Sequence, residues 1–272
     1  MMAPSSAWDE GTRDFSDNFH SQSGDVIVLA SGPSAGDFPL EKFAELPVLA
    51  MNGSIVKCAA AGISPYFYLC DDDSFVEERA LLAKDGVERA QNVAMTASCF
   101  QILETIFPGI LSGKNLYVLK RVNRVNGKPA MSDRRFAWSI RRDPDLFSGF
   151  SLFSKKPNRI GFSRNLSKGY FGSRTIPFAG LQLVAHLGFE RVFLVGVDLN
   201  PSAGRFYESG RKALPSTLDE DYPKYILPSF EMMANQVMAE GRFEVYNLST
   251  NSRLPDSLIR KISITDMEKL LP

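Results

Sequence analysis

Four short apolar runs in this 272-residue chain each stop at a cluster of small or polar residues. Asp25-Val-Ile-Val-Leu-Ala30 gives way to Ser31-Gly-Pro-Ser34, and Val48-Leu-Ala-Met51 to Asn52-Gly-Ser54. Tyr66-Phe-Tyr-Leu-Cys70 gives way to Asp71-Asp-Asp-Ser74, and Arg191-Val-Phe-Leu-Val195 to Gly196-Val-Asp198. Runs that are apolar throughout, rather than alternating, read as strands buried on both faces, the habit of parallel sheets. A parallel sheet brings equivalent strand ends to one edge, and open α/β folds hold ligands outside the carboxyl edge. Leu40 to Leu46, Ile55 to Ala61 and Phe75 to Leu82 have the spacing and length of crossover helices, while Asn92 to Met95, Leu116 to Leu119 and Phe243 to Tyr246 supply further strands. The expected class is α/β, a doubly wound and mostly parallel Rossmann-like sheet.

Charge is balanced overall, with 31 Lys and Arg against 31 Asp and Glu. No global field draws such a chain to nucleic acid, so electrostatic specialisation has to be local. It is local between residues 120 and 160, where Arg121, Arg124, Lys128, Arg134, Arg135, Arg141, Arg142, Lys155, Lys156 and Arg159 are interleaved with Phe136, Trp138, Phe147 and Phe153. This stretch breaks the strand and helix rhythm and reads as an inserted basic region; a solvated charged surface is the plain alternative. Residues 1–24 are polar and aperiodic and are expected to form a mobile arm ahead of a single domain over 25–272. Residues 199–225, rich in proline and glycine between a strand and a helix, have the length of a lid loop. Three cysteines without Cys-x-x-Cys spacing read as reduced thiols, and no apolar stretch is long enough for a spanning helix. A soluble, cytoplasmic protein is the expectation.

Several motifs carry possible chemistry, each beside a plainer reading. Ser31, Gly32, Pro33 and Ser34 expose backbone N–H groups to a phosphate or ribose, or form an ordinary turn; they match neither Gly-x-Gly-x-x-Gly nor a P-loop. Asn52 offers an amide to a base or sugar, or simply tolerates positive φ in a turn. Asp71, Asp72 and Asp73 are read three ways: as ligands for Mg²⁺ or Mn²⁺, as a helix N-cap with first-turn acids, or as a source of a general base. Ser173, Arg174 and Thr175 are expected to open a helix, and a cation in a first turn opposes the helix dipole unless an anion joins it. Of the two histidines, His186 lies in an apolar helix and reads as structural, which argues against histidine acid/base chemistry. No Gly-x-Ser-x-Gly elbow is present.

Taken in order, Leu29-Ala-Ser-Gly-Pro-Ser34, Met51-Asn-Gly-Ser54, Gly161-Phe-Ser163 through Lys168-Gly-Tyr170, Thr175, Gly196-x-Asp198, Arg205-Phe-Tyr207, Leu-Pro-Ser at 214–216, Tyr246-Asn-Leu-Ser249 and Ser252-Arg-Leu-Pro255 closely resemble the WaaZ family of lipopolysaccharide core enzymes. The first loop, Asn52 and Val195-Gly-Val-Asp198 are more distantly similar to bacterial CMP-sialic-acid sialyltransferases. The resemblance implies a sialyltransferase-like variant of the GT-A arrangement that transfers Kdo, a 2-keto acid sugar, from CMP-Kdo to the inner core. It implies that Ser31, Gly32, Pro33, Ser34, Asn52, Gly196 and Asp198 position cytidine and ribose, and that Ser173, Arg174, Thr175, Arg205 and Tyr207 hold the phosphate and sugar carboxylate. Those sialyltransferases take a catalytic histidine from near the lid, where this sequence has none; Asp72 is the first choice of base, with Asp221 or Glu220 as alternatives. Arg121, Arg124, Arg134 and Arg135 would grip an anionic acceptor at the cytoplasmic face of the inner membrane. A donor with a single leaving phosphate presents no diphosphate to chelate, so neither metal nor cofactor is expected. Two rivals remain, an ATP-dependent pyrophosphokinase and a non-catalytic nucleotide-sugar-binding protein.

Overall fold

The structure, a computed structural model, describes residues 11–125, 129–200, 204–208 and 217–272. Its strands are β1 (Thr12–Arg13), β2 (Asp25–Leu29), β3 (Val48–Met51), β4 (Phe67–Cys70), β5 (Asn92–Met95), β6 (Leu116–Val118), β7 (Leu146–Ser148), β8 (Gly161–Ser163), β9 (Arg191–Val195), β10 (Glu244–Asn247) and β11 (Arg260–Lys261). Helices are α1 (Ile55–Ala61), α2 (Asp73–Glu78), α3 (Ala80–Arg89), α4 (Ala97–Ile106), α5 (Asp133–Ser139), α6 (Ile176–Leu187), α7 (Leu218–Asp221), α8 (Leu227–Met232) and α9 (Ile264–Leu270).

Among the described residues nine strands form one sheet in the order β1-β6-β5-β4-β3-β2-β9-β10-β11, and every pairing in it is parallel. The sheet is doubly wound. From β2 the chain steps outward through β3, β4, β5 and β6, then returns to add β9 on the other side of β2, pairing Leu29 with both Ala50 and Val195. The order reverses between β2 and β9, and that is where the edge opens into a crevice.

Burial explains why the strands lack alternation. Val26, Val28, Leu49, Met51, Phe67 and Leu69 pack with α6 residues such as Phe178 and Leu181 on one face. Ile27, Leu29, Ala50, Tyr68, Cys70 and Met95 pack with α1, α3 and α4 on the other. The central strands β2, β3, β4, β5 and β9 thus feed two cores and have no polar side to show. The three cysteines are free and buried, and burial raises the Cys58 thiol to about 12.

Four sequence-level expectations are corrected. The mobile arm over residues 1–24 does not hold from Gly11 onward: Thr12–Arg13 pairs with Leu116 and Tyr117, and Phe15 is buried. His186 makes that attachment, because its Nδ1 accepts from Leu166 N at 3.1 Å while Nε2 faces Phe15 O at 2.8 Å and Asn18 Oδ1 at 2.9 Å. Phe15 and Phe19, whose ring centroids lie 5.5 and 5.3 Å from that of His186, add aromatic contacts to the strand pairing. Residues 1–10 lie outside the described residues. The helix expected over Leu40 to Leu46 is a single 3₁₀ turn, Leu40–Phe43. The one expected over Phe75 to Leu82 is broken at Arg79 into α2 and α3. The helix after Gly172 begins at Ile176 with Thr175 as N-cap, so Ser173 and Arg174 precede it.

The basic stretch builds a small annex. There α5 and the antiparallel hairpin β7–β8 share a core of Phe136, Ile140, Leu146 and Phe171. No helix among the described residues is long and apolar enough to cross a membrane.

Candidate active site

A cavity of about 670 Å³ opens at the carboxyl edge of the sheet, over the ends of β2, β3, β4 and β9. Backbone packing shapes its floor. Gly32 N donates to Gly196 O at 2.8 Å, and a Cβ on Gly32 would collide with Asp198. Gly196 sits at φ +75°, against Ala30. Only glycine lets these two loops close on each other.

Of the residues expected to hold a donor, Ser31, Gly32, Pro33, Asn52, Thr175, Gly196, Asp198 and Arg205 line the cavity, as do Arg174, Asp72 and Asp221. Asn52 stands out physically. It adopts φ 49°, in the left-handed region, and its Oδ1 is buried without a hydrogen-bond partner. An unmet buried acceptor costs roughly 1–3 kcal/mol, and such a group on a cavity wall invites a donor from a ligand. Arg174 is likewise left-handed at φ 67°, and its guanidinium lies 5.7 Å from the Tyr225 ring centroid. Next to it, the Thr175 hydroxyl makes no capping bond; Pro177 has no N–H and Phe178 N donates to Thr175 O at 3.2 Å, which leaves Ile176, on the cavity lining, with the uncapped N–H at the start of the twelve-residue α6.

Other expected residues serve the walls instead. Ser34 does not line the cavity; its Oγ donates to Asp198 Oδ2 at 2.8 Å and meets Ser249 Oγ at 2.7 Å. Ser249 Oγ in turn accepts from Val197 N at 3.0 Å, and Ser252 Oγ donates to Val197 O at 2.6 Å. The Tyr-Asn-Leu-Ser and Ser-Arg-Leu-Pro segments therefore fasten the Gly-x-Asp turn, and Asp198, 6% exposed, is partly engaged in that fastening. Ser173 is buried and outside the lining. Tyr207 lays its ring over Gly53, where a Cβ would strike it, and burial lifts its hydroxyl to about 12. Tyr207 thereby holds the described part of the lid, 204–208, with help from Phe206 N donating to Ser31 O at 3.1 Å. Arg205 Nη1 reaches both Glu208 oxygens at 3.0 Å, and Arg79 Nη2 lies 3.7 Å from the same carboxylate. Glu208, missed at the sequence level, sets the direction of Arg205. Leu-Pro-Ser at 214–216 and Lys128 lie outside the described residues.

The three aspartates at the end of β4 all line the cavity yet diverge in what they do. Asp72 Oδ1 caps α2 by accepting from Phe75 N at 3.2 Å. Asp73 accepts from Ser98 Oγ at 2.7 Å and from Cys99 Sγ at 3.2 Å. Asp71 accepts from Tyr170 Oη at 3.0 Å, and burial raises its pKa, opposed by that hydrogen bond and by the charge of Arg121. Among the described residues no group of three or more His, Cys, Asp or Glu side chains converges on a point that could hold a metal. Arg121 also lines the cavity, close to Gly172, whereas Arg124, Arg134 and Arg135 are exposed outside it. Asp221, on α7, accepts from Thr217 Oγ1 at 2.8 Å.

A family model for 3-deoxy-D-manno-octulosonic acid transferase WaaZ matches residues 16–265. The chain belongs to this family. It is 28% identical over 247 residues to a probable 3-deoxy-manno-octulosonic acid transferase of Escherichia coli K12, covering 90% of this chain and 84% of that protein. A Salmonella typhimurium protein of the same description is 26% identical over 246 residues, covering 90% and 88%. Among solved structures, the MAf glycosyltransferase of Magnetospirillum magneticum AMB-1 is 14% identical with a TM-score of 0.49, over 93% of this chain and 37% of that one. The sialyltransferase CstII of Campylobacter jejuni, in complex with cytidine-5'-monophosphate, is 12% identical with a TM-score of 0.47, over 86% and 83%. Family membership makes the protein a glycosyltransferase of Kdo and lipopolysaccharide biosynthesis, and the cavity is its candidate active site.

Proposed function

We propose that the protein transfers Kdo, or a related 2-keto acid sugar, from a CMP-activated donor to the lipopolysaccharide inner core, with inversion, without a divalent metal, and at the cytoplasmic face of the inner membrane. The observation that carries this reading is the polarity of the cavity, which offers an unmet amide oxygen on Asn52 and the Arg174 cation beside a helix start that Thr175 leaves uncapped. Cytosine presents an exocyclic amine, a donor matched to the Asn52 oxygen. The single phosphate suits Arg174 and the Ile176 N–H at the positive end of α6, which stabilise charge as it develops on the leaving group.

In the reaction the bond from anomeric carbon to phosphate oxygen breaks and its electron pair leaves with CMP. The acceptor oxygen bonds to the same carbon from the opposite face, and its proton passes to a carboxylate. Asp71 fits that role better than Asp72, because burial holds its pKa above the usual carboxylate range while Asp72 is engaged as a cap. Asp221 is the alternative from the lid side. Arg121, beside Asp71, faces the carboxylate or phosphate of the incoming sugars, with Arg124, Arg134 and Arg135 further out.

Thermal-shift titration in EDTA tests the donor. CMP at about a hundredfold over its Kd should add roughly 2.7 kcal/mol of stability, while ATP should add none. In a parallel titration with Mg²⁺ in place of EDTA, stabilisation by ATP and none by CMP would establish the pyrophosphokinase reading instead. CMP release from CMP-Kdo and acceptor should persist in EDTA; turnover that needs Mg²⁺ would return Asp71 and Asp73 to consideration as ligands.

A further inference from the structure

The annex beside the cavity carries a tip that its own structure does not use. Between β7 and β8 the chain turns through residues 149–160, and Asn158, 3% exposed, organises the turn. Its Oδ1 accepts from Ser151 N at 2.9 Å, and its Nδ2 donates to Ser151 O at 3.0 Å and Ser154 O at 2.8 Å. Arg159 ties the turn to α5 through Asp133 Oδ2 at 2.6 Å. This built loop presents Leu152 at 59% and Phe153 at 99% exposure. Beside them Trp138 is 53% and Phe150 is 42% exposed, their rings 5.4 Å apart, with the Arg141 guanidinium 4.0 Å over the indole.

The surroundings are cationic. Asp133, Asp143 and Asp145 of this stretch are paired with Arg159 or Lys168. Lys155 and Lys156 are exposed in the same turn as the tip, Arg141 lies over Trp138, and Arg134, Arg135 and Arg142 are exposed on α5 and just after it. A backbone-ordered polar turn that presents two large apolar side chains to water, with lysines in the same turn and further cations on the neighbouring α5, matches the boundary of an anionic bilayer, where aromatics sit at headgroup level and Lys and Arg meet lipid phosphates.

We infer that the β7–β8 tip docks the protein on an anionic lipid bilayer, with Leu152 and Phe153 entering the headgroup and acyl boundary and the surrounding cations holding the lipid phosphates. The annex core includes Phe171, adjacent to cavity-lining Gly172, so the annex that carries the tip packs on the segment that forms part of the active-site wall. The inference deepens the membrane placement proposed above by naming the surface that makes the contact.

The test uses the full chain and vesicles without lipopolysaccharide, so it contains no transfer step and fails or succeeds independently of the transferase reading. Protein is sedimented with phosphatidylcholine vesicles and with vesicles of phosphatidylcholine and phosphatidylglycerol. Wild type should sediment with the anionic vesicles only and be released by sodium chloride. Leu152→Ser with Phe153→Ser should weaken partition by roughly tenfold or more, and Lys155→Glu with Lys156→Glu should do likewise, both at an unchanged circular-dichroism melt. Equal sedimentation of wild type and both variants overturns the inference, as does binding to neutral vesicles alone or no binding to either. A concentration-dependent dimer in ultracentrifugation, lost in the Leu152→Ser, Phe153→Ser variant and indifferent to lipid, would show that a second copy covers the tip.

Discussion

Arg174 separates a residue kept for folding from one kept for a ligand. Its backbone is left-handed at φ 67°, two residues before a helix whose dipole its charge opposes. For a residue with a Cβ that conformation costs about 1–2 kcal/mol, and glycine is relieved of it. Against this, Arg174→Gly loosens the unfolded chain, costing about 0.4–1 kcal/mol, and loses the contact over Tyr225, about 0.5–1 kcal/mol at an exposed site. These opposing terms leave stability within about 1 kcal/mol of wild type, a melting shift of roughly 2–4 °C at most for a chain of this size. Binding should respond differently. A guanidinium fork on a phosphate contributes roughly 1.5–3 kcal/mol, so CMP affinity should fall about 10- to 150-fold. Arg174→Lys, which keeps the charge and loses the fork, should fall between. Calorimetric titration of CMP beside a circular-dichroism melt reads both quantities. A variant that melts like wild type and binds CMP with the wild-type Kd refutes the assignment, and one that loses several kcal/mol of stability shows that Arg174 serves the fold.

Asp71→Asn should lower kcat by about 10²- to 10⁴-fold, whereas Asp72→Asn, in which Asn caps as well as Asp, should leave kcat near wild type; the reverse ranking restores Asp72 as base. Because the Tyr170 hydrogen bond lowers the Asp71 pKa, Tyr170→Phe should move the acidic limb of the pH–rate profile to higher pH, and a limb that stays put argues against Asp71. Gly53→Ala drives a Cβ into the Tyr207 ring and should raise the donor KM more than it lowers kcat as Arg205 shifts with its loop; unchanged kinetics would mean that the 204–208 shelf takes no part. His186 is held neutral by burial, its pKa falling from 6.5 to about 4. The unfolded chain takes up this proton as pH drops through 6.5 and the folded protein only near 4, so stability is complete above that window and is lost across it, by up to roughly 3 kcal/mol. Urea titrations at several pH values should show this slope and should show it flattened in His186→Gln; an unchanged slope would place the loss elsewhere.

The sheet and its loaded edge were legible because both follow from local rules: apolar strands buried on two faces, and small or polar residues where each strand ends. Side-chain partnerships across long sequence separations were not. Ser34 and Ser249 are 215 positions apart, and Asp198 and Ser34 are 164 apart, so a hydroxyl that looks free for a ligand in a strand-end loop is already committed to a distant turn. The docked segment at Thr12 to Asn18 was hidden for the same reason, since its stabilising contacts come from His186 and β6 rather than from any periodicity of its own. Glu208 could have been found: an acid three residues after Arg205 on a short loop is within reach of its guanidinium.

These long-range fasteners also explain how a ligand site can be both loaded and stable. The Ser34, Asp198, Ser249 and Val197 chain fixes the loops after β2 and β9 that flank the crevice, and Ser54 Oγ, accepting from Met51 N and donating to Leu29 O, each at 2.8 Å, pins the turn that carries the unmet Asn52 oxygen. Strain and an unmet acceptor persist only where the surroundings over-determine the backbone, and Asn52, Arg174 and Leu199 bring left-handed backbone to the cavity wall. A ligand that supplies one amine and one phosphate would answer both at once. On that reasoning Ser249→Ala, although outside the cavity lining, should weaken CMP binding by loosening the frame, with KM rising while the pH–rate profile keeps its shape, and a change in the profile would instead place Ser249 in the chemistry.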